Sequence, residues 1–105
     1  MWRAAILASG LVLMALPAVA RENYALLIGA AEYRNLDPKY WLKGPPNDVT
    51  LVRTYLTTQA PVQFAPEDVL VLADGVAGAD RPTLAAIRAA FADLTARVQP
   101  GDFVY

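Results

Sequence analysis

Tyr24-Ala25-Leu26-Leu27-Ile28-Gly29-Ala30 is the stretch from which the fold can be worked out. The run is apolar and ends in glycine, without the alternation of apolar and polar residues that a half-buried strand shows. A continuous apolar run of this length is typical of a strand covered on both faces, as in the middle of a parallel sheet. Such a strand requires covering helices and crossover connections. The sequence therefore predicts an α/β fold around a strand over residues 23–30.

Two more apolar runs predict two more strands. Val69–Ala73 is unbroken, with β-branched residues in alternate places, and Asp74-Gly75 ends it. Phe103-Val104-Tyr105 resembles the first half of a third buried strand, and the sequence ends there. A sheet of two and a half strands would leave an apolar edge open to aggregation. We therefore expect the sequence to be a fragment, truncated in its third strand.

Each gap between strands contains a segment with helical spacing. The first helix is expected to begin at Asn47 as the cap, with Asp48 favoured by the helix dipole. It is expected to end near Thr57-Thr58-Gln59, because Pro61 prevents its continuation. The second is expected to begin at Thr83, with Asp80 or Thr83 as the cap. Its apolar residues recur three and four positions apart and form one stripe that would face the sheet: Leu84, Ile87, Phe91, Leu94 and Val98.

Composition excludes several kinds of chemistry. The 105 residues suffice for one small domain, and they include no cysteine, no histidine and a single serine, Ser9. Thiolate catalysis, disulfides, imidazole base chemistry and Cys/His metal sites are therefore excluded for the chain as given. A formal net charge of −1 provides no basic surface for nucleic acid. We expect no cofactor, no bound metal and no nucleic-acid partner.

The first 20 residues have the pattern of a secretory signal peptide. A positive start at Arg3 precedes an apolar core over residues 4–16, and Ala18-Val19-Ala20 supplies the small residues that a signal peptidase needs. We predict cleavage after Ala20 and a secreted or periplasmic protein without stable membrane association. The alternative is an uncleaved N-terminal anchor, although the apolar core is shorter than the roughly 20 residues of a membrane span.

Two further features allow more than one interpretation. The long loop over residues 32–46 contains Tyr33, Tyr40 and Trp41, which we expect to pack onto the core, the alternative being a role facing a substrate. Asp74 follows the second strand, as an aspartate does in the phosphate-accepting sites of receiver domains. Those sites need several converging carboxylates, so we interpret Asp74 as a turn residue.

The order and spacing of these segments resemble the N-terminal part of the caspase-like cysteine peptidases, specifically the bacterial metacaspase-like group. The resemblance covers nearly all of residues 23–105 and implies a three-layer αβα sandwich of caspase-like type, with residues 21–105 as its N-terminal part. The matching pieces are Tyr24-Ala25-Leu26-Leu27-Ile28-Gly29 with Tyr33, Leu42-x-Gly44-x-x-Asn47-Asp48-Val49, Leu72-x-Asp74, Pro82-Thr83 with Ile87, and Gly101-Asp102.

The resemblance also implies a reaction. In that family the third strand leads to a Ser-Gly-His-Gly segment with the catalytic histidine, and the nucleophilic cysteine follows after a further strand. Both would lie beyond Tyr105, so the full-length protein would be an endopeptidase and the chain as given would be inert. The alternatives are a catalytically dead caspase-like module for binding or scaffolding, or an unrelated small α/β binding domain. A histidine soon after Tyr105 in the reading frame, and a cysteine some tens of residues later, would support the peptidase.

One site residue of that family falls inside the chain. Metacaspases place an acidic residue of the Gly-x-x-Asn-Asp segment in the pocket for the substrate side chain before the scissile bond, and Asp48 corresponds to it. The resemblance thus implies a polypeptide substrate cleaved after Arg or Lys. Pro45 departs from the pattern, because metacaspases often have a pocket-lining cysteine there. Asp48 could instead only stabilise its helix, and Lys43 could compete for Asp48 or, as arginine does in caspases, form an acid-specific pocket.

Overall fold

Three strands and two α-helices alternate along the part of the chain that the computed structural model describes, residue 10 and residues 21–105. They are β1 (Asn23–Gly29), α1 (Gly44–Thr58), β2 (Val69–Ala73), α2 (Leu84–Arg97) and β3 (Phe103–Val104). Single turns of 3₁₀ helix, Pro38–Tyr40 and Pro66–Asp68, lie in the connections. The predicted mixed α/β fold is confirmed. The predicted signal peptide and its cleavage site lie outside the described residues.

β1 is the middle strand of a three-stranded parallel sheet with the order β2-β1-β3. Ala25–Gly29 pair in register with Val69–Ala73, whereas only Asn23 and Tyr24 pair with β3. This central position explains why the β1 sequence is apolar without alternation. Within the described residues, the last part of β1 is paired on its β2 side alone.

The two helices contact opposite faces of the sheet. One face forms a buried cluster with α1 and with Phe64, and its members include Ala25, Leu27, Val49, Leu56, Val69 and Ala73. On the other face, the guanidinium of Arg97 in α2 lies 5.0 Å from the centre of the Tyr24 ring and 2.7 Å from the Asp68 carboxylate. Right-handed crossovers require opposite faces here, because the two connections run in opposite directions across the sheet.

α2 begins as predicted but is less buried than predicted. The Thr83 hydroxyl oxygen caps the helix by accepting a hydrogen bond from the Ala86 N–H at 3.1 Å. Ala90 is the buried residue of α2, whereas Leu84 is exposed and Phe91 has 57% of its surface exposed. The expectation that the whole apolar stripe faces the sheet is therefore wrong at Leu84 and Phe91, most of whose surface no other part of the described structure covers.

α1 begins four residues before the predicted start. Gly44 is its first residue, and Lys43 at the N-cap makes no capping hydrogen bond with its side chain. Pro45 fits this first turn, where a missing N–H leaves no helical bond unmade. Asn47 is therefore not the cap. Its Nδ2 instead donates to the Lys43 carbonyl at 3.5 Å, while the helix ends at Thr58 as predicted.

β3 is present as predicted, but its side chains are exposed rather than buried. The start of the strand is fixed by Asp102, whose carboxylate accepts the N–H groups of Glu22 at 3.0 Å and Gln99 at 2.8 Å. These two hydrogen bonds hold the pKa of Asp102 below its ordinary value.

Neither α1 nor α2, nor any other helix within residues 21–105, has the length and apolar character that crossing a bilayer requires.

Candidate functional site

A groove at the carboxyl end of β1 lies where the order of the strands reverses. α1 leads from β1 to β2 on one side, and α2 leads back past β1 to β3 on the other. In open α/β sheets, such a reversal creates a crevice in which ligands bind. The groove contains a cavity of about 320 Å³, lined by residues 26–29 of β1, by Pro45, Asp48, Val49 and Val52 of α1, and by Tyr105.

Asp48 is the one charged residue among those that line this cavity. It is exposed, and its Oδ2 would lie 3.7 Å from a Cβ placed on Gly44, so the carboxylate turns back toward the first residue of α1. The helix dipole favours an anion near that end. No ion pair or side-chain hydrogen bond within residues 21–105 engages the Asp48 carboxylate. Both of its oxygens are therefore available to a ligand.

The walls of the cavity combine apolar side chains with the backbone edge of β1, whose last residues have no strand beside them on this side in the described structure. Val52 is an apolar wall residue that its neighbours cover only partly. A carboxylate at the margin of an apolar wall suits a side chain with a long aliphatic stem and a cationic end, because the stem loses water contact while the charge finds a partner. Lys43 does not line this cavity and forms no ion pair with Asp48 in the described residues.

Two glycines lie where the start of α1 meets the end of the sheet. A Cβ built on Gly29 would lie 2.5 Å from Cγ2 of Val49, closer than Cβ atoms approach other atoms in proteins. A Cβ on Gly75, whose φ of +71° favours glycine, would lie 3.4 Å from Cγ of Pro46. The closeness of α1 to β1 thus depends on the lack of a side chain at Gly29, whereas at Gly75 the positive φ, and not the available space, requires glycine. This closeness sets where Asp48 lies.

A second charged cluster lies at the same edge of the sheet, after β2. Asp74 is 4% exposed, and its Oδ2 accepts the N–H groups of Ala31 at 3.0 Å and Glu32 at 2.9 Å. Its Oδ1 lies 3.3 Å from Nη2 of Arg81, an ion pair without hydrogen-bond geometry. Burial on its own raises the pKa of Asp74, but the two backbone hydrogen bonds and the guanidiniums of Arg81 and Arg34 hold it below its ordinary value.

Asp74 therefore lies in a turn, as predicted, and in addition connects the loop after β1 to the end of β2. A cavity of about 330 Å³ adjoins it, lined by Glu32, Arg34 and Arg81 among others, with two carboxylates balanced by two guanidiniums. Within residues 21–105 no group of three acidic side chains is placed to hold a metal ion. Sequence reasoning missed Arg81, although loops after parallel strands converge at one edge and Arg81 lies in the loop after β2.

The loop between β1 and α1 is held by its own hydrogen bonds. The Leu42 N–H donates to the Ala31 carbonyl at 3.0 Å and closes the loop, and Nε1 of Trp41 donates to the Tyr33 carbonyl at 3.0 Å. Tyr40 is 60% exposed and Tyr33 is also exposed. The prediction that the loop aromatics pack onto the core is wrong for these two tyrosines, because a loop closed in this way does not need the core to order it.

Comparisons with known proteins give no relative: no protein-family model matches the chain, and neither the curated proteins nor the solved structures contain a match. A function for this chain must therefore be argued from its own residues and their geometry.

Proposed function

We propose that this chain is the N-terminal part of a caspase-like cysteine endopeptidase of the metacaspase type, in which Asp48 binds an Arg or Lys residue of a polypeptide substrate. The proposal interprets the observed α/β arrangement as part of the three-layer caspase-like sandwich. One observation carries it. An unpaired carboxylate, Asp48, is the charged residue of a groove at the point where the strand order of a parallel sheet reverses.

The chemistry of the groove supports a basic side chain over an acidic or purely apolar one. The methylene stem of arginine or lysine would lie along Val52 beside the edge of β1, and its charged end would reach Asp48. Arginine can give a carboxylate two parallel hydrogen bonds, whereas lysine acts as a point charge. The proposal therefore places arginine ahead of lysine as the preferred residue.

The proposal needs a nucleophile and a base from outside these 105 residues, because the chain contains no cysteine and no histidine. β3 runs parallel to β1, and the Tyr105 carbonyl accepts the Leu26 N–H at 3.1 Å. A longer β3 would pair with the last residues of β1, which line the groove, and would form one of the walls of the groove. In the family that the sequence resembles, the catalytic histidine follows this strand, and the thiolate of a later cysteine attacks the peptide carbonyl.

A second candidate is a catalytically inactive caspase-like module that binds or scaffolds polypeptides, which would need neither cysteine nor histidine. The product of the complete gene distinguishes the two candidates. Cleavage of an arginine-containing peptide, lost in Asp48→Ala with the fold intact, would support the peptidase. Binding of the same peptide without cleavage would support the scaffold.

We also propose that the protein is secreted or periplasmic, on the basis of the signal-peptide pattern of residues 1–20. The intact mass of the exported protein tests this proposal. A mass that corresponds to a start at Arg21 is expected, and a mass that still includes Met1 would contradict it.

Binding of a small probe tests the role of Asp48 directly. We expect N-acetyl-arginine amide to bind up to about fivefold more tightly than its uncharged citrulline analogue, since an ion pair with an exposed carboxylate is worth about 0.2–1 kcal/mol. In Asp48→Asn this preference should vanish, whereas Glu67→Gln, which neutralises an exposed carboxylate elsewhere, should retain it. Equal binding of the two probes to the unaltered protein would refute the proposed role.

A further inference from the structure

We propose that Gly29 is a positioning residue for the Asp48 carboxylate, and that the lack of a side chain at Gly29 sets the preference for an arginine side chain. This inference rests on the proposed function of Asp48. It concerns space rather than backbone conformation, because Gly29 is not among the glycines with positive φ, which are Gly75, Gly78 and Gly101 in the described residues.

The backbone at Gly29 cannot move to make room for a side chain. Gly29 pairs in register with Ala73, and its carbonyl accepts the Asp74 N–H at 3.1 Å. A Cβ at position 29 would also lie 3.4 Å from the Cβ of Ala73 and 3.3 Å from the Pro45 carbonyl oxygen. The end of β1 is therefore fixed against β2, and any adjustment must come from α1.

The side chain of Val49 cannot relieve the clash either. It is 6% exposed and belongs to the buried cluster with Ala25, Leu27 and Leu56. A β-branched side chain in a helix has one strongly preferred rotamer, so Cγ2 cannot rotate away at low cost. The distance from a Cβ on Gly29 to Cγ2 would have to grow from 2.5 Å to an ordinary contact of at least 3.4 Å, so the start of α1 would shift by about 0.9 Å.

Such a shift would carry Asp48 away from the groove, because Asp48 directly precedes Val49 in α1. The other end of the helix is anchored by buried Leu56, whose carbonyl accepts the Phe64 N–H at 2.9 Å, so the movement would concentrate near the first turns. A charge-assisted hydrogen bond of about 2.8 Å lengthened by about 1 Å is no longer a hydrogen bond. Contacts of the apolar stem, which tolerate small shifts, would remain.

The test measures the ratio of affinities for N-acetyl-arginine amide and its citrulline analogue in three variants: Gly29→Ala, Val49→Ala and the double variant. We expect Gly29→Ala to reduce the preference for arginine from at most about fivefold to about onefold, with citrulline binding nearly unchanged. Val49→Ala removes Cγ2, so the double variant should regain the preference. A general loss of structure would weaken the binding of both probes together, so the ratio of their affinities would stay unchanged.

If Gly29→Ala does not fold, the double variant still provides a test. The double variant should fold, and it should prefer arginine to the same degree as Val49→Ala. A preference retained in Gly29→Ala, or not restored in the double variant, would overturn the inference. If the unaltered protein shows no preference for arginine, the proposed function fails. The distance from residue 29 to Asp48, measured from proton NOEs, then shows whether Gly29 positions Asp48. A distance that lengthens in Gly29→Ala and recovers in the double variant would support positioning, and an unchanged distance would overturn it.

Discussion

Replacement of Asp74 should destabilise the fold more than replacement of any exposed carboxylate. Asp74→Ala leaves the Ala31 and Glu32 N–H groups without their acceptor, and the Ala31 hydrogen bond is fully buried. A buried donor without a partner costs about 1–3 kcal/mol, and a partly buried one costs less. The ion pair with Arg81 adds little, since Arg81 is 37% exposed and water screens it. We therefore expect a loss of about 3 kcal/mol in the free energy of unfolding.

Asp74→Asn should cost about 1–2 kcal/mol, because an amide oxygen can still accept both N–H groups but without the charge that strengthens them. Glu67→Gln makes the same chemical change at an exposed position and should leave stability unchanged within about 0.5 kcal/mol. Urea denaturation followed by circular dichroism measures all three variants. A loss below about 1 kcal/mol for Asp74→Ala, or equal losses for Asp74→Ala and Asp74→Asn, would refute this reasoning.

The pH dependence gives an independent check on Asp74. Its pKa in the folded protein is below the ordinary value of 3.8, because the backbone hydrogen bonds and the nearby guanidiniums outweigh burial. The contribution of the ionised carboxylate to stability is therefore complete above the ordinary pKa and is lost as the pH falls through the lower folded-state pKa. The difference in stability between the unaltered protein and Asp74→Asn should shrink below about pH 3.8. A difference that does not shrink as the pH falls below 3.8 would contradict the assignment.

Two further residues give predictions of their own. Thr83→Ala removes the cap of α2 and should lower the free energy of unfolding, measured in urea, by about 1 kcal/mol. Thr95→Ala, within the helix, should lower it by less than about 0.5 kcal/mol. Equal losses in the two variants would contradict the capping role of Thr83. The amide proton shifts of Glu22 and Gln99 should change together as the Asp102 carboxylate is protonated, with a midpoint below pH 3.8. The same shifts should not change with pH in Asp102→Asn. A midpoint above pH 3.8 would contradict these hydrogen bonds.

The sequence was sufficient for the parts of the fold that local pattern determines. The apolar run from Tyr24 predicted a central parallel strand, and the structure places β1 between β2 and β3. Thr83 as a cap and Thr58 as a helix end also followed from local chemistry. These features depend on residues close in sequence, so neighbouring residue types suffice to predict them.

Features that depend on distant residues could not be predicted. The hydrogen bonds from Ala31 and Glu32 to Asp74 join residues more than 40 positions apart, and a turn aspartate looks the same in sequence whether or not it makes them. The exposure of Phe91 depends on which parts of the chain lie beside α2, and the spacing of apolar residues within α2 does not determine that. The close contact of Gly29 with Val49 likewise arises only when the helix lies on the strand.

The position of a bound arginine side chain shows whether Asp48 and its groove bind a basic residue. The ¹⁵N-labelled protein would be titrated with N-acetyl-arginine amide, and the backbone amide shifts would identify the residues in contact with it. If Asp48 binds the arginine side chain, the largest amide shifts occur at Gly29, Asp48 and Val49, and these shifts disappear in Asp48→Asn. Largest shifts at Glu32 and Arg81, in the cluster around Asp74, would contradict this role of Asp48.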